Sequence, residues 1–94
     1  MGTEHLLDVR NMELPVPLLS ALAELESLAP GDYLRMLSHR DPTLLYPMLE
    51  SQGFRYTRQR NPGEIYEILI WRKGDAAAEL AAQALAAAQS SPPV

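Results

Sequence analysis

Residues 7–28 of this 94-residue chain, LDVRNMELPVPLLSALAELESL, decide its fold. Alternating apolar residues over His5–Val9 predict a short strand. The leucines that follow recur three and four residues apart, which predicts a helix over 16–28 whose core stripe is formed by leucines 18, 19, 22, 25 and 28. Pro15 and Pro17 fall in the first turn of that helix, where a backbone N–H has no helical partner to lose. A strand, a turn and an amphipathic helix therefore begin the chain.

A second strand and a second helix follow. Tyr33–Ser38 alternates as a strand, and Asp41-Pro42 is typical of a helix start, with an N-cap carboxylate before proline at the first helical position. This helix is predicted to end at a left-handed Gly53. Because Pro47 cannot donate a hydrogen bond within a helix, we expect either a kink there or a loop through Leu44 before the regular helix begins.

Two further strands, over 54–60 and 65–72, are joined by a turn centred on Pro62-Gly63. The order of elements predicts an α+β fold: a two-layer sandwich of type βαβαββ, with a four-stranded mixed sheet, two helices on one face and the other face open. We assign residues 1–73 to this domain. Residues 74–94 are predicted to form an alanine-rich helical extension, lightly docked at most, and a disordered tail.

The composition limits what the chain can do. It contains no cysteine, which excludes disulfides and cysteine metal sites, and its net charge of −4 disfavours a nonspecific nucleic-acid binder. No apolar run approaches the roughly 20 residues of a membrane span, and the N-terminus lacks a signal-peptide pattern. We therefore expect a soluble cytoplasmic protein. Since no Ser-His-Asp ordering, paired acids or phosphate loop is present, we also expect no enzymatic activity.

Five short motifs occur in an order that is similar to one protein family. They are Leu7-Asp8-Val9-Arg10, Leu14-Pro15-Val16-Pro17, Pro30-Gly31, Asp41-Pro42 with Leu45-Tyr46-Pro47, and Gly53-Phe54. This set resembles the TusA/SirA-like superfamily and, within it, the branch called domain of unknown function 2249. In the sulfur carriers that this resemblance implies, a reactive cysteine at the helix N-terminus carries a persulfide. Leu14 stands at that position, so the chain is predicted to keep the scaffold without sulfur transfer.

The favoured hypothesis is a non-catalytic protein-binding or regulatory module that needs no cofactor. Ligand sites often lie beyond the carboxyl ends of strands, so its recognition edge would combine the helix start with the loop after the second strand. The residues of this edge are Leu14, Pro15, Pro17, His39, Arg40 and Asp41. The expected partner is a protein, a homodimer is one option, and no membrane is expected. In a plainer interpretation, Asp41 only caps the helix, while His39 and Arg40 are solvated.

Two alternatives stay open. The first is a metal- or haem-associated accessory protein of respiratory or nitrogen-oxide metabolism, which would bind iron, zinc or haem through His39, with His5 and a carboxylate nearby. It comes from the resemblance, because proteins of this branch are sometimes found beside iron-binding hemerythrin-like domains. The second is RNA binding on the open sheet face, where Trp71 and Leu69 would lie near a basic cluster formed by Arg55, Arg58, Arg60, Arg72 and Lys73. The plainer interpretations are two surface histidines and a solvated sheet.

Overall fold

The computed structural model describes residues 3–13, 16–60, 63 and 65–90. Its strands are β1 (Glu4–Asp8), β2 (Tyr33–Ser38), β3 (Phe54–Arg60) and β4 (Tyr66–Arg72), and its helices are α1 (Val16–Glu26), α2 (Leu45–Ser51) and α3 (Ala76–Ser90). The strands form one sheet in the order β1-β2-β4-β3, with β1 and β2 parallel and the other pairs antiparallel. The predicted α+β class and four-stranded mixed sheet are confirmed. Among the described helices, none is long and apolar enough to cross a bilayer.

One face of the sheet packs against α1 and α2. The buried side chains of this core include Leu25, Leu34, Met36, Leu45, Leu49, Ile68 and Ile70. Each such side chain contributes about 1.5–3 kcal/mol when it leaves water. The predicted leucine stripe of α1 is right only in part: Leu25 and Leu28 are buried, but Leu19 is 60% exposed. Neighbouring helical positions point about 100° apart, so Leu18 and Leu19 cannot both face the sheet.

The start of α2 resolves the two expectations for Pro47. Regular helix begins at Leu45, and Leu44 is its N-cap without a side-chain hydrogen bond. Pro47 is therefore the third helical residue, and its missing N–H falls among the first four donors that have no helical acceptor. The expectation of a loop through Leu44 is correct. Gly53 follows the helix with φ +83°, which confirms the left-handed position predicted for it.

The other face of the sheet is covered by α3, so the prediction of an open face and a lightly docked helix is wrong. Ala78 and Ala82 are completely buried against Tyr33, Leu69 and Trp71. Alanine side chains let the helix approach the sheet closely, and the sheet then supplies the large apolar groups. The molecule consequently has three layers, with the sheet in the middle.

Asp75 fixes the start of α3. Its Oδ1 accepts a hydrogen bond from the Ala78 N–H at 3.1 Å, as an N-cap does, and its Oδ2 accepts one from the Gly31 N–H at 2.8 Å. These backbone donors, that of Gly31 first, lower the pKa of the Asp75 carboxyl. One side chain therefore both begins the helix and ties it to the loop before β2.

The RNA hypothesis fails because it required an open face. Trp71 is 3% exposed and Leu69 is completely buried beneath α3, so neither can stack on a base. The basic cluster is also partly used inside the fold: the Arg72 guanidinium donates to the carbonyls of Leu25 and Leu28 at 3.3 and 3.0 Å. Arg72 thus satisfies carbonyl groups at the end of α1, where a cation is favourable.

Asp32 connects the edge strand β1 to the loop before β2. Its carboxylate accepts hydrogen bonds from the Thr3 N–H at 2.8 Å and the Ala29 N–H at 3.2 Å, and its Oδ2 lies 2.9 Å from Nε2 of His5. These contacts, that with His5 first, hold the pKa of Asp32 below its usual value of 3.8.

Replacing Asp32 by asparagine is expected to lower the free energy of unfolding at neutral pH. The Thr3 and Ala29 N–H groups donate to different oxygens of Asp32, and an amide has only one acceptor oxygen. A lowered carboxyl pKa stabilises the fold above the unfolded value, and this stabilisation is lost as the pH falls through the folded value. The difference between wild type and Asp32→Asn should therefore shrink below about pH 4, as measured by urea denaturation. Glu26→Gln, at an exposed position of α1, is the matched control. A difference that stays constant with pH contradicts this role.

Candidate functional site

The parallel pairing of β1 with β2 brings the carboxyl ends of these two strands to the same edge of the sheet. The ladder continues one residue beyond β1, where the Val9 N–H donates to the Leu37 carbonyl at 2.9 Å. The β1–α1 and β2–α2 loops consequently lie side by side. Between them is a cleft of about 570 Å³, lined by Val9, Arg10, Asn11, Met12, Glu13, Pro17, Leu18, Ser38, His39, Arg40, Asp41, Pro42, Thr43 and Leu44.

The β2–α2 loop is held by two polar side chains. The buried Ser38 hydroxyl donates to the Arg40 carbonyl at 2.7 Å and accepts from the Arg40 N–H at 3.2 Å. Asp41 accepts hydrogen bonds from the Tyr46 hydroxyl and from the Arg58 guanidinium, each at 2.6 Å. The interpretation of Asp41 as the helix cap is therefore wrong. Asp41 instead joins the loop to both α2 and β3.

A stacked aromatic pair lies next to the contacts that Asp41 makes with α2 and β3. The rings of Tyr46 and Tyr56 are stacked with their centroids 4.4 Å apart, and the Arg58 guanidinium lies 5.8 Å from the Tyr46 centroid. Burial, and then the hydrogen bond to Asp41, raises the pKa of Tyr46, so its hydroxyl remains a donor at neutral pH. The loop is thus anchored to rigid elements on both sides, which suits a preformed binding surface.

The β1–α1 loop is held by Arg10 and Asp8. The Arg10 guanidinium makes two hydrogen bonds to the Asp8 carboxylate, at 2.8 and 2.6 Å, and the Arg10 N–H adds a third at 3.1 Å. Chiefly through the side-chain hydrogen bond, Arg10 lowers the pKa of Asp8 to about 2. The two charges therefore neutralise each other over the ordinary pH range.

Besides the exposed Glu13, the cleft offers apolar side chains and polar ones. Met12 and Leu44 are 43% and 64% exposed on opposite sides of it. Within the part of the chain that the structure describes, the exposed side chains of His39 and Arg40 make no hydrogen bond or ion pair. The cleft can consequently receive an apolar side chain next to an acidic or hydrogen-bond-accepting group.

The predicted recognition edge coincides with this cleft as far as the structure describes it. Pro17, His39, Arg40 and Asp41 all line the cleft. Leu14 and Pro15 lie outside the described residues. Sequence reasoning missed Met12 and Leu44, although a large apolar residue beside a turn signal in each loop was the available indication.

The structure does not bring the two histidines together. His5 pairs with Leu34 in the parallel ladder, whereas His39 lies five residues beyond Leu34, about 16 Å away in the strand direction. His5 is occupied by Asp32, and its Nδ1 lies 3.9 Å from Glu24. In the described ranges, no three histidine, cysteine or acidic side chains are grouped so as to hold a metal ion. A site shared by His5 and His39 is therefore not formed, and iron, zinc or haem binding at His39 alone stays a prediction.

The fold of this chain is similar to that of a protein of known structure. A SirA-like protein from Desulfitobacterium hafniense has a similar solved structure, with a TM-score of 0.63, 20% sequence identity, and coverage of 74% of this chain and 95% of that one. At this identity the likeness concerns the fold alone. No curated protein sequence matches the chain.

The family comparison is more direct. Residues 6–72 match the family described as "Uncharacterized conserved protein (DUF2249)", and this range includes both loops of the cleft and all four strands except the first residues of β1. The predicted match to the domain of unknown function 2249 is confirmed, the likeness to a SirA-like protein holds for the fold, and the absence of cysteine sets this chain apart from a persulfide carrier. The chain belongs to the DUF2249 family.

Proposed function

We propose that the chain is a non-catalytic protein-binding module that uses the cleft at the carboxyl ends of β1 and β2 on a sulfur-carrier-like scaffold. The observation that carries this proposal is the composition of the cleft: exposed Met12 and Leu44 line it together with His39 and Arg40, whose side chains have no hydrogen-bond partner in the described residues. An apolar centre with a polar rim is the usual composition of a protein-recognition surface.

The chemistry of the cleft favours binding over catalysis. A persulfide carrier needs a thiolate, and the chain has no cysteine at all. The two shortest ion pairs near the cleft, Arg10 with Asp8 and Arg58 with Asp41, serve to hold the loops. What supports a binding role is therefore a cleft with exposed apolar side chains and with the polar side chains of His39 and Arg40 beside them.

The cleft is expected to select a partner segment that places an apolar side chain between Met12 and Leu44 and an acidic group near Arg40. Arginine forms two-pronged hydrogen bonds with carboxylates, which gives such a contact orientation as well as attraction. His39 beside it adds a second polar contact. A regulatory role follows if occupation of this cleft controls the activity of the partner.

Replacing Leu44 by glutamate is expected to abolish partner capture, because the change puts a carboxylate on the apolar side of the cleft. Leu44 is exposed and precedes α2, where an acidic residue is tolerated, so the fold should be unaffected. The measurement is affinity capture from native lysate with quantitative mass spectrometry, comparing wild type, Leu44→Glu and Arg40→Glu.

Leu80→Glu is the matched control, since Leu80 is 72% exposed on α3, away from the cleft. Proteins that are retained by wild type and Leu80→Glu but lost by both cleft variants support the proposal. Identical capture by all four proteins, each with an unchanged circular dichroism spectrum, rules out this cleft as the binding site.

A further inference from the structure

The strand β3 has a free edge. The sheet order places it at one border, paired with β4 alone. An edge strand of seven residues presents a row of backbone groups that can accept another strand.

The register shows which backbone groups face outward. The Lys73 N–H donates to the Gly53 carbonyl at 2.9 Å, so residues 53 and 73 form a hydrogen-bonded pair. Such pairs alternate along an antiparallel ladder, and Arg55, Thr57 and Gln59 consequently point their backbone groups toward β4. The N–H and carbonyl groups of the intervening residues 54, 56 and 58 point away from the sheet. Among the described residues, none of them has a backbone partner.

A groove runs along this edge between the helical layers. It has a volume of about 720 Å³ and is bordered by Glu50 of α2 on one side and by Glu79 and Gln83 of α3 on the other. Trp71 also lines it, and its buried indole Nε1 has no acceptor within the described part of the chain.

We propose that β3 pairs antiparallel with β3 of a second copy of this chain, forming a continuous eight-stranded sheet. The symmetric register that pairs all seven residues is centred on Thr57. It places Tyr56 opposite Arg58, Arg55 opposite Gln59 and Phe54 opposite Arg60 of the second copy, with the two Thr57 residues facing each other. The outward-facing backbone groups of Tyr56 and Arg58 then form hydrogen-bonded pairs across the interface.

The charges of the strand fit this register. β3 carries three arginines, yet the centred register sets none of them directly opposite another. Two of the three instead meet an aromatic residue, an arrangement that favours cation–π contact. Asp41 neutralises Arg58 within each copy at 2.6 Å, and Glu50 supplies a negative charge beside the groove. The closest approach of like charges is then the diagonal pair of the two Arg58 residues, and each of them is paired with Asp41 of its own copy.

A single introduced thiol tests the register, because the chain has no cysteine of its own. The two Thr57 residues would form a non-hydrogen-bonded pair with Cα atoms about 4.5 Å apart, within the roughly 4.4–6.8 Å that a disulfide spans. Thr57→Cys is thus expected to give a disulfide-linked dimer under mild oxidation. Arg55→Cys alone should not, since its two copies would be about 13 Å apart. A mixture of Arg55→Cys and Gln59→Cys should give the mixed dimer.

Sedimentation equilibrium with two variants at one position tests the backbone pairing. Wild type should approach twice its 10.4 kDa mass as concentration rises. Tyr56→Ala and Tyr56→Pro both remove the ring, but only proline removes the outward N–H, which has no role in the β3–β4 ladder. Because two hydrogen bonds are lost per dimer, Tyr56→Pro should dimerise about tenfold or more weakly than Tyr56→Ala.

Three outcomes overturn the proposal. If the wild type stays monomeric, β3 does not pair with a second copy, and only a strand from another protein could pair with this edge. Equal dissociation constants for Tyr56→Pro and Tyr56→Ala place the dimer contact elsewhere. Cross-linking of Arg55→Cys with itself as efficient as that of Thr57→Cys excludes the centred register.

Discussion

Replacing Ala82 by aspartate is expected to detach α3 from the sheet and to lower the free energy of unfolding by at least about 2 kcal/mol. Ala82 is completely buried against the cluster that contains Trp71 and Leu69. On this face the guanidinium of Arg35, the cross-strand neighbour of Leu69, is already paired with Glu67. The helix must therefore either bury an unpaired charge or move away. Moving away exposes the single tryptophan of the chain, which is 3% exposed in the intact fold.

The measurement is urea denaturation combined with the emission maximum of Trp71, which should shift to the red in Ala82→Asp at zero denaturant. Ala84→Asp is the control, since it makes the same substitution at an exposed position of the same helix. Both variants carry the same cost in helix propensity, so their difference reports docking alone. Equal stabilities and emission maxima for the two variants would show that α3 contributes no packing to the fold.

Replacing Arg35 by methionine is expected to destabilise the protein by about 3 kcal/mol, because it removes the guanidinium that contacts both oxygens of a buried glutamate. Glu67 is completely buried, and the Arg35 guanidinium contacts both of its carboxylate oxygens, with Nε 3.2 Å from Oε1 and Nη2 3.3 Å from Oε2. Glu67 in turn raises the pKa of Arg35. Removing one member of a buried pair costs more than the pair itself contributes.

The double variant Arg35→Met with Glu67→Leu separates these two effects. It removes both charges and should recover most of the lost stability, as urea denaturation followed by circular dichroism can show. Arg10→Met is the control, because its ion pair with Asp8 is shorter, at 2.6 Å, but exposed and thus weakened by water. If Arg10→Met destabilises as much as Arg35→Met, burial is not what makes the Arg35–Glu67 pair important.

The docking of α3 on the sheet could not be predicted from the residues of that helix alone. An alanine-rich helix has little apolar bulk, so its own sequence did not indicate docking. The indication was in β4, where Ile68-Leu69-Ile70-Trp71 is apolar at every position. A strand that is apolar on both sides is typical of a sheet covered on both faces. Most of the apolar surface that holds α3 in place thus belongs to the sheet and not to the helix.

The candidate site shows the same division. The strand ends and the loop residues His39, Arg40 and Asp41 were predictable from turn signals and from the family motifs, because each depends on a few neighbouring residues. The partners of Asp41 were not, since Tyr46 and Arg58 reach it from α2 and β3. The separation of His5 from His39 likewise depends on the register of two parallel strands, which no local pattern specifies.

The sequence by itself determined the elements of the central sheet, the two helices on its first face and the exclusion of thiol chemistry, because these follow from periodicity, proline and glycine positions, and composition. Only the tertiary structure decided that α3 closes the second face, that the two loops enclose one cleft, and that β3 keeps a free edge. Those features arise from contacts between residues far apart in the chain, and the energy of such contacts depends on geometry that exists only after folding.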